Sequence, residues 1–194
     1  MPLYTRAMDT ADLADWNAWQ ADLLTTGQET FSKRLAQSTT GTTMTTQILR
    51  LSYFTARKTE TSTQVRVLSG GTAAGATPSL ARIGLYTIAA NGDGTLAASI
   101  TSDTALFAAT STAYTRSWSS SIGMVAGNRY ALGVLVVTAA TAPVLLSNVV
   151  GVASEAGVAP IVGGTISAQT DLPSSFLSGS VSASSSCVYG AILP

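Results

Sequence analysis

The chain has no histidine and only one cysteine, Cys187, among its 194 residues. The first absence removes the usual imidazole general base, the Ser-His-Asp arrangement and most zinc sites together. The second excludes an intrachain disulfide and a cysteine-built metal framework. Within the apolar run "CVYGAIL", Cys187 reads as a small buried side chain.

Charge is scarce as well. Ten basic and ten acidic residues cancel, which leaves little electrostatic pull toward nucleic acid or anionic lipid. The charges are unevenly placed: Asp9, Asp12, Asp15, Asp22 and Glu29 face a single early base, Arg6, and after Arg129 only Glu155 and Asp171 carry charge. Such a C-terminal stretch needs burial, a partner surface or a neutral Ser/Thr-rich exterior. Nor is there an uninterrupted apolar run of membrane length. "ALGVLVVTAATAPVLLSNVVGVA" is broken by Thr138, Thr141, Pro143, Ser147 and Asn148, so it reads as two strands and not as a membrane span. "MPLYTRAMDTADLADW" lacks the apolar core of a signal peptide, so cytoplasmic synthesis without secretion is expected.

What the chain does have is short apolar runs alternating with dense Thr, Ser, Ala and Gly, the composition of an all-β domain. The spacing predicts strands over 46–56, 63–69, 80–90, 95–101, 112–119, 128–138, 143–149 and 186–193. In 128–138, Tyr130, Leu132, Val134 and Val136 point one way and Ala131, Gly133 and Leu135 the other; the second face is small but not polar, as in a strand covered on both sides. Residues 150–185 show little pattern.

One helix is predicted, over 10–26. Asp9 or Thr10 can cap it, Asp12 and Asp15 suit the positive end of its dipole, and Gly27 supplies a stop. Leu13, Trp16, Trp19 and Leu23 form one stripe. A short continuation from Gln28 to Ala36 would pair Phe31 with Leu35. The stripe can pack on the chain's own β-domain, or these residues can dock on another subunit. "QSTTGTTMTT", with only Met44 bulky and apolar, reads as a linker.

Catalytic patterns are missing. Glycoside cleavage needs two facing carboxylates, and the β-region offers only Glu60, Asp93, Asp103, Glu155 and Asp171, none ending an apolar strand. "GGTAAGATP" lacks the Gly-Lys-Ser/Thr of a phosphate cradle. "AANGDGTLAAS" supplies only Asn91 and Asp93 as oxygen ligands, with no closing glutamate, whereas Asn-Gly and Asp-Gly are the dipeptides a hairpin bend prefers. No enzyme, cofactor or metal is expected. Arg82, Arg116 and Arg129 read as solvated charges or as ion-pair partners of Asp93 and Asp103. Tyr86, Tyr114 and Trp118, with Tyr53, are either core aromatics or a ring platform for a surface sugar.

The stretch from Leu80 to Val137 carries a resemblance: the "GLYT-x-AANGDGTL" hairpin, the Leu106-Phe107 pair, the "T-x-Y" at 112–114, the "VAGNRYALGVLVV" strand and, at the C-terminus, "YGAILP". It resembles the β-sandwich (jelly-roll-like) domain of minor tail and other virion structural proteins of tailed phages, particularly those of actinobacterial hosts. The likeness covers roughly residues 44–194. It implies a single antiparallel, jelly-roll-like β-sandwich; with the helix and linker read from the residues before it, the chain is expected to be mainly β, a β-sandwich preceded by an N-terminal α-helix, divided as 1–36 helical anchor, 37–45 linker and 46–194 sandwich. The resemblance further implies a non-enzymatic structural or adhesive module; joined to the helix reading, it leads to the expectation of a minor tail (tail-tip or fibre) protein of the virion, attached by the helix, with the sandwich projecting outward. Its partners would be tail or major capsid subunits, copies of itself (often as a trimer) and a host-surface glycan, without nucleic acid or membrane insertion. The alternative is a capsid decoration or head-fibre protein bound to the major capsid protein.

Overall fold

The computed structural model describes residues 27–31, 37–75, 77–149 and 162–194. Among them lie fourteen strands: β1 (Gln28–Glu29), β2 (Gln37–Thr43), β3 (Leu49–Thr55), β4 (Glu60–Leu68), β5 (Leu80–Ile88), β6 (Gly94–Ser99), β7 (Ala113–Met124), β8 (Arg129–Val137), β9 (Val144–Val149), β10 (Gly163–Ile166), β11 (Ser175–Phe176), β12 (Ser182–Ser184), β13 (Ser186–Val188) and β14 (Gly190–Leu193). One 3-10 turn, Ser178–Ser180, is the only helical element among the described residues.

The strands form three sheets, ordered β11-β6-β5-β8-β3-β10-β12, β1-β14-β4-β7 and β13-β9-β2. Their strand pairs are antiparallel, and a bridge from Ser69 to Leu145 ties the end of β4 to β9. The chain is therefore mainly β, as its composition indicated. The main core lies between the seven- and four-stranded sheets. Ile83, Leu85, Leu132 and Val134 from the first meet Val65, Val67, Trp118 and Ile192 from the second, with Leu106 and Phe107 closing one end.

β8 stands in the middle of the seven-stranded sheet and shows the two-sided burial its sequence implied. Tyr130, Leu132, Val134 and Val136 enter the main core, while Ala131 and Leu135 join a second apolar cluster with Leu49, Leu51, Tyr53 and Tyr86. That second face is covered by a strap, Ser167–Val181, which contributes Leu172, Phe176 and Val181. The strap carries β11 and leads into β12, so the two edges of the seven-stranded sheet are consecutive in the chain, joined by Leu177–Val181. Gly133 and Gly84 stand opposite each other under it. A Cβ at Gly133 would come within 2.8 Å of the Tyr86 ring; these bare positions leave the space that Tyr86 and Leu172 fill.

Nine of the strands lie within or against the eight predicted spans, the 186–193 span being split into β13 and β14. Three readings need correction. Gln28 to Ala36 does not open as a helix, because Gln28–Glu29 pairs with the β14 edge through its backbone, Gln28 opposite Ile192 and Glu29 opposite Ala191. The stretch read as linker includes β2, which pairs with β9. Its threonines favour extended backbone, and Thr42 is buried with its hydroxyl on Ser147 Oγ at 3.0 Å. The patternless 150–185 region contains β10 to β12, which earn their order from strand neighbours and not from alternation. The predicted helix 10–26, with Leu13, Trp16, Trp19 and Leu23, lies outside the described residues, as does Leu35.

Candidate functional site

The attachment site expected from the sequence centres on the N-terminal segment, and its described part is Gly27–Phe31. β1 is too short to hold itself in place, so side chains do much of the work. Gln28 Oε1 accepts from Arg57 N at 2.6 Å and its Nε2 donates to Lys58 O at 2.9 Å, which fixes the turn between β3 and β4. On the other face Glu29 Oε1 accepts from Tyr189 Oη at 2.6 Å. Thr30 is bonded three times across to the C-terminal strands: its N–H to Gly190 O, its hydroxyl to Val188 O, and its Oγ1 from Gly190 N. Phe31, expected on a helix, sits edge-on to Tyr189 with ring centroids 5.7 Å apart. It joins Leu68 and Leu193 around Leu146, Tyr189 and Ala191. Gly27 takes a φ of +85°, open to glycine, and a Cβ there would fall 2.4 Å from Ile192 O.

The junction is consequently a rigid staple between the N-terminal segment and the last strand. Glu29 is buried, and its Oε2 has no hydrogen-bond partner among the described residues. Burial, and then the Glu29 carboxylate beside it, push the Tyr189 phenol well above its ordinary range, so it stays a donor.

The three aromatics weighed as a sugar platform are core residues. Tyr86 is 0% exposed, Tyr114 8% and Trp118 6%. Tyr86 Oη donates to Pro173 O of the strap, Tyr114 Oη accepts from Ala109 N, and Trp118 Nε1 donates to Ser62 Oγ. Each polar tip is satisfied inside the fold, which is how a buried tyrosine or tryptophan is accommodated. Tyr53 is also buried, its ring lying 4.9 Å from the Arg129 guanidinium carbon.

The arginines are more specific than surface charge. Arg116 Nε meets Asp103 Oδ2 at 2.5 Å, as the ion-pair reading allowed. Arg82 pairs instead with Asp171 of the strap at 2.7 Å and also donates to Ser99 and Ile100 O. Asp93 accepts from Ser178 N at 2.8 Å. The opening between β5 and β6 is a hairpin, as its turn residues indicated, with Ile88 opposite Gly94 and Gly92 at a φ of +89°. Gly94 has a different use: a Cβ there would strike the Phe176 ring at 2.2 Å.

None of these groups forms a nucleophile–base pair. The carboxylates of Asp93, Asp103 and Asp171 each hold a separate structural partner. Burial raises the Cys187 thiol to about 11, against weaker opposing hydrogen bonds from Ser52 and Thr30, so it is a poor nucleophile. Among the described residues no group of three or more Cys, Asp or Glu side chains is placed to hold a metal ion, and no helix is long and apolar enough to cross a membrane. A cleft of about 380 Å3 opens beside the hairpin end, between Ile88–Ala90 and Gly127–Arg129; its lining includes the exposed Thr87 and Asn128 and no carboxylate.

Comparison of the chain with protein-family models and with curated proteins finds no match.

Proposed function

We propose that the chain is a non-enzymatic structural protein of a tailed-phage virion, a minor tail (tail-tip or fibre) protein whose jelly-roll-like β-sandwich projects from the particle. The observation that carries this reading is the staple at Gln28–Phe31. Whatever the N-terminal residues grip is joined through β1, Glu29 and Thr30 directly to the closing strand β14. A load on the N-terminal segment is thereby passed into the sheet and not into a slack linker. The motifs of the Leu80–Val137 stretch, the antiparallel strands and the low charge all suit a virion component, in which assembly burial takes the place of charged surface.

In this role Leu13, Trp16, Trp19 and Leu23 dock on the neighbouring virion subunits, and Phe31 belongs to the sandwich side of the joint. The protein assembles as a homo-oligomer. A host-surface glycan would be met by the amide- and hydroxyl-bearing hairpin end, since Tyr86, Tyr114 and Trp118 are buried.

Deleting residues 1–26, which spares β1, tests the attachment. The expected result is a folded protein that no longer enters particles; incorporation at the normal level overturns the anchor. Counting copies per particle separates the two virion roles. A few copies, with adsorption lost when the sandwich is removed, supports the tail. Many copies, with a fragile capsid in their absence, gives the decoration protein instead.

A further inference from the structure

The hairpin tip Asn91–Gly92 is more than a bend, because asparagine followed by glycine is a chemical as well as a conformational motif. The backbone nitrogen after an asparagine can attack the side-chain Cγ, and glycine, having no Cβ, obstructs that attack least. A C–N bond forms and ammonia leaves, taking the amide nitrogen and the proton of the attacking N–H. The five-membered imide then takes up one water at either carbonyl and opens to aspartate or isoaspartate. Water enters and ammonia departs; no oxidant or reductant is needed.

In this fold each group required for the attack is already engaged. Gly92 is buried, and its N–H donates to Ala89 O at 2.9 Å. Asn91 Nδ2 donates to Asp93 Oδ2 at 2.8 Å, and Asn91 Oδ1 accepts from Asp93 N at 3.1 Å. The other oxygen of the same Asp93 carboxylate holds Ser178 N of the strap at 2.8 Å. Closing the imide ring means turning the Asn91 side chain toward Gly92 N, which breaks all three tip bonds. The tip and the strap are thus fastened by one carboxylate.

We propose that Asn91 is a conformation-gated modification site: it converts to aspartate or isoaspartate only when the tip opens, and the product then hinders the strap from fastening again. An aspartate at 91 would set a second carboxylate where Nδ2 now meets Asp93. Isoaspartate would add a methylene to the backbone of a tight turn. Either loosens the hold of Asp93 on Ser178 and leaves the strap end beside Phe176 less well tied.

The test follows conversion of Asn91 by peptide mapping during incubation at mildly alkaline pH. The intact protein should convert slower than the same chain in guanidinium chloride by about tenfold or more, because the reaction must wait for local opening. Ser178→Pro removes the N–H that Asp93 holds and leaves the tip sequence untouched. It is compatible with Leu177, whose φ of −86° and ψ of 144° suit a residue before proline. It should raise the rate in the folded protein several-fold. In Asn91→Asp, hydrogen exchange should quicken at Leu96 N, which donates to Ser174 O of the strap, but not at Val65 in the main core. Equal rates in the folded and unfolded chain, or no response to Ser178→Pro, would overturn the gating. Unchanged exchange at Leu96 in Asn91→Asp would overturn the link to the strap.

Discussion

Tyr189 and Glu29 are 160 positions apart in the chain, yet the Tyr189 hydroxyl donates to Glu29 Oε1 at 2.6 Å in a buried setting. The bond connects a two-residue strand near one end of the chain to the turn before the final strand. It is the charge-bearing part of the staple on which the proposed attachment depends.

Tyr189→Phe removes the one donor that the described residues give a buried carboxylate whose second oxygen has no partner among them. The expected loss is about 1–3 kcal/mol, the cost of stranding a buried acceptor. Urea denaturation of the full chain measures it. Adding Glu29→Gln to that variant should recover part of the loss, since the carboxylate that lost its donor is gone while the ring against Phe31 is kept; no recovery would show that the stranded carboxylate is not the source of the cost.

Ser62→Ala should be unusually costly for so small a change. Ser62 is fully buried, accepts from Trp118 Nε1 at 2.9 Å and donates to Leu193 O at 2.7 Å. Removing the hydroxyl leaves both partners unsatisfied, for about 2–4 kcal/mol at 1–2 kcal/mol each. Thermal unfolding would register this as a lower Tm. The tryptophan emission of wild type should not respond to added sugars through Trp118, because that ring is inside the fold.

Gly133→Ala tests the crowding beneath the strap. The new methyl would lie 2.8 Å from Tyr86 Cε2 and 3.1 Å from Leu49 Cδ1. Neither neighbour has free space, so a destabilisation of about 1–3 kcal/mol is expected. Its signature should be faster hydrogen exchange in the strap before the main core. A stability change within experimental error would mean that the strap shifts freely to admit the methyl.

Alkaline pH should destabilise the fold through Tyr53. Burial foremost, partly offset by the nearby Arg129, moves its phenol from 10.0 up to about 12. The folded state therefore keeps a proton that the unfolded state gives up. Stability is fully retained below pH 10 and declines as pH rises from there toward 12. Tyr53→Phe should flatten that decline. Because the Tyr53 hydroxyl has no hydrogen-bond partner among the described residues, the same change should cost little or nothing at neutral pH. Denaturation curves across the alkaline range would check both outcomes.

The sequence by itself determined that the chain is mainly β, where its main strands run and how its central strand is buried. These follow from local rules: side chains alternate with a period of two, so Tyr130, Leu132, Val134 and Val136 could be assigned to one face without knowing their neighbours. It also determined the hairpin at Asn91–Gly92, because a positive φ is tolerated by few residues. Only the tertiary structure decided what pairs at a distance. β1 and β2 carry no apolar pattern, and their order comes from backbone bonds to β14 and β9, more than a hundred residues away. The same holds for Tyr86 and Trp118: burial depends on the strap and on Ser62, which no local spacing reveals. Backbone hydrogen bonds are available to any sequence, so a strand recruited by its neighbours leaves little trace in its own residues.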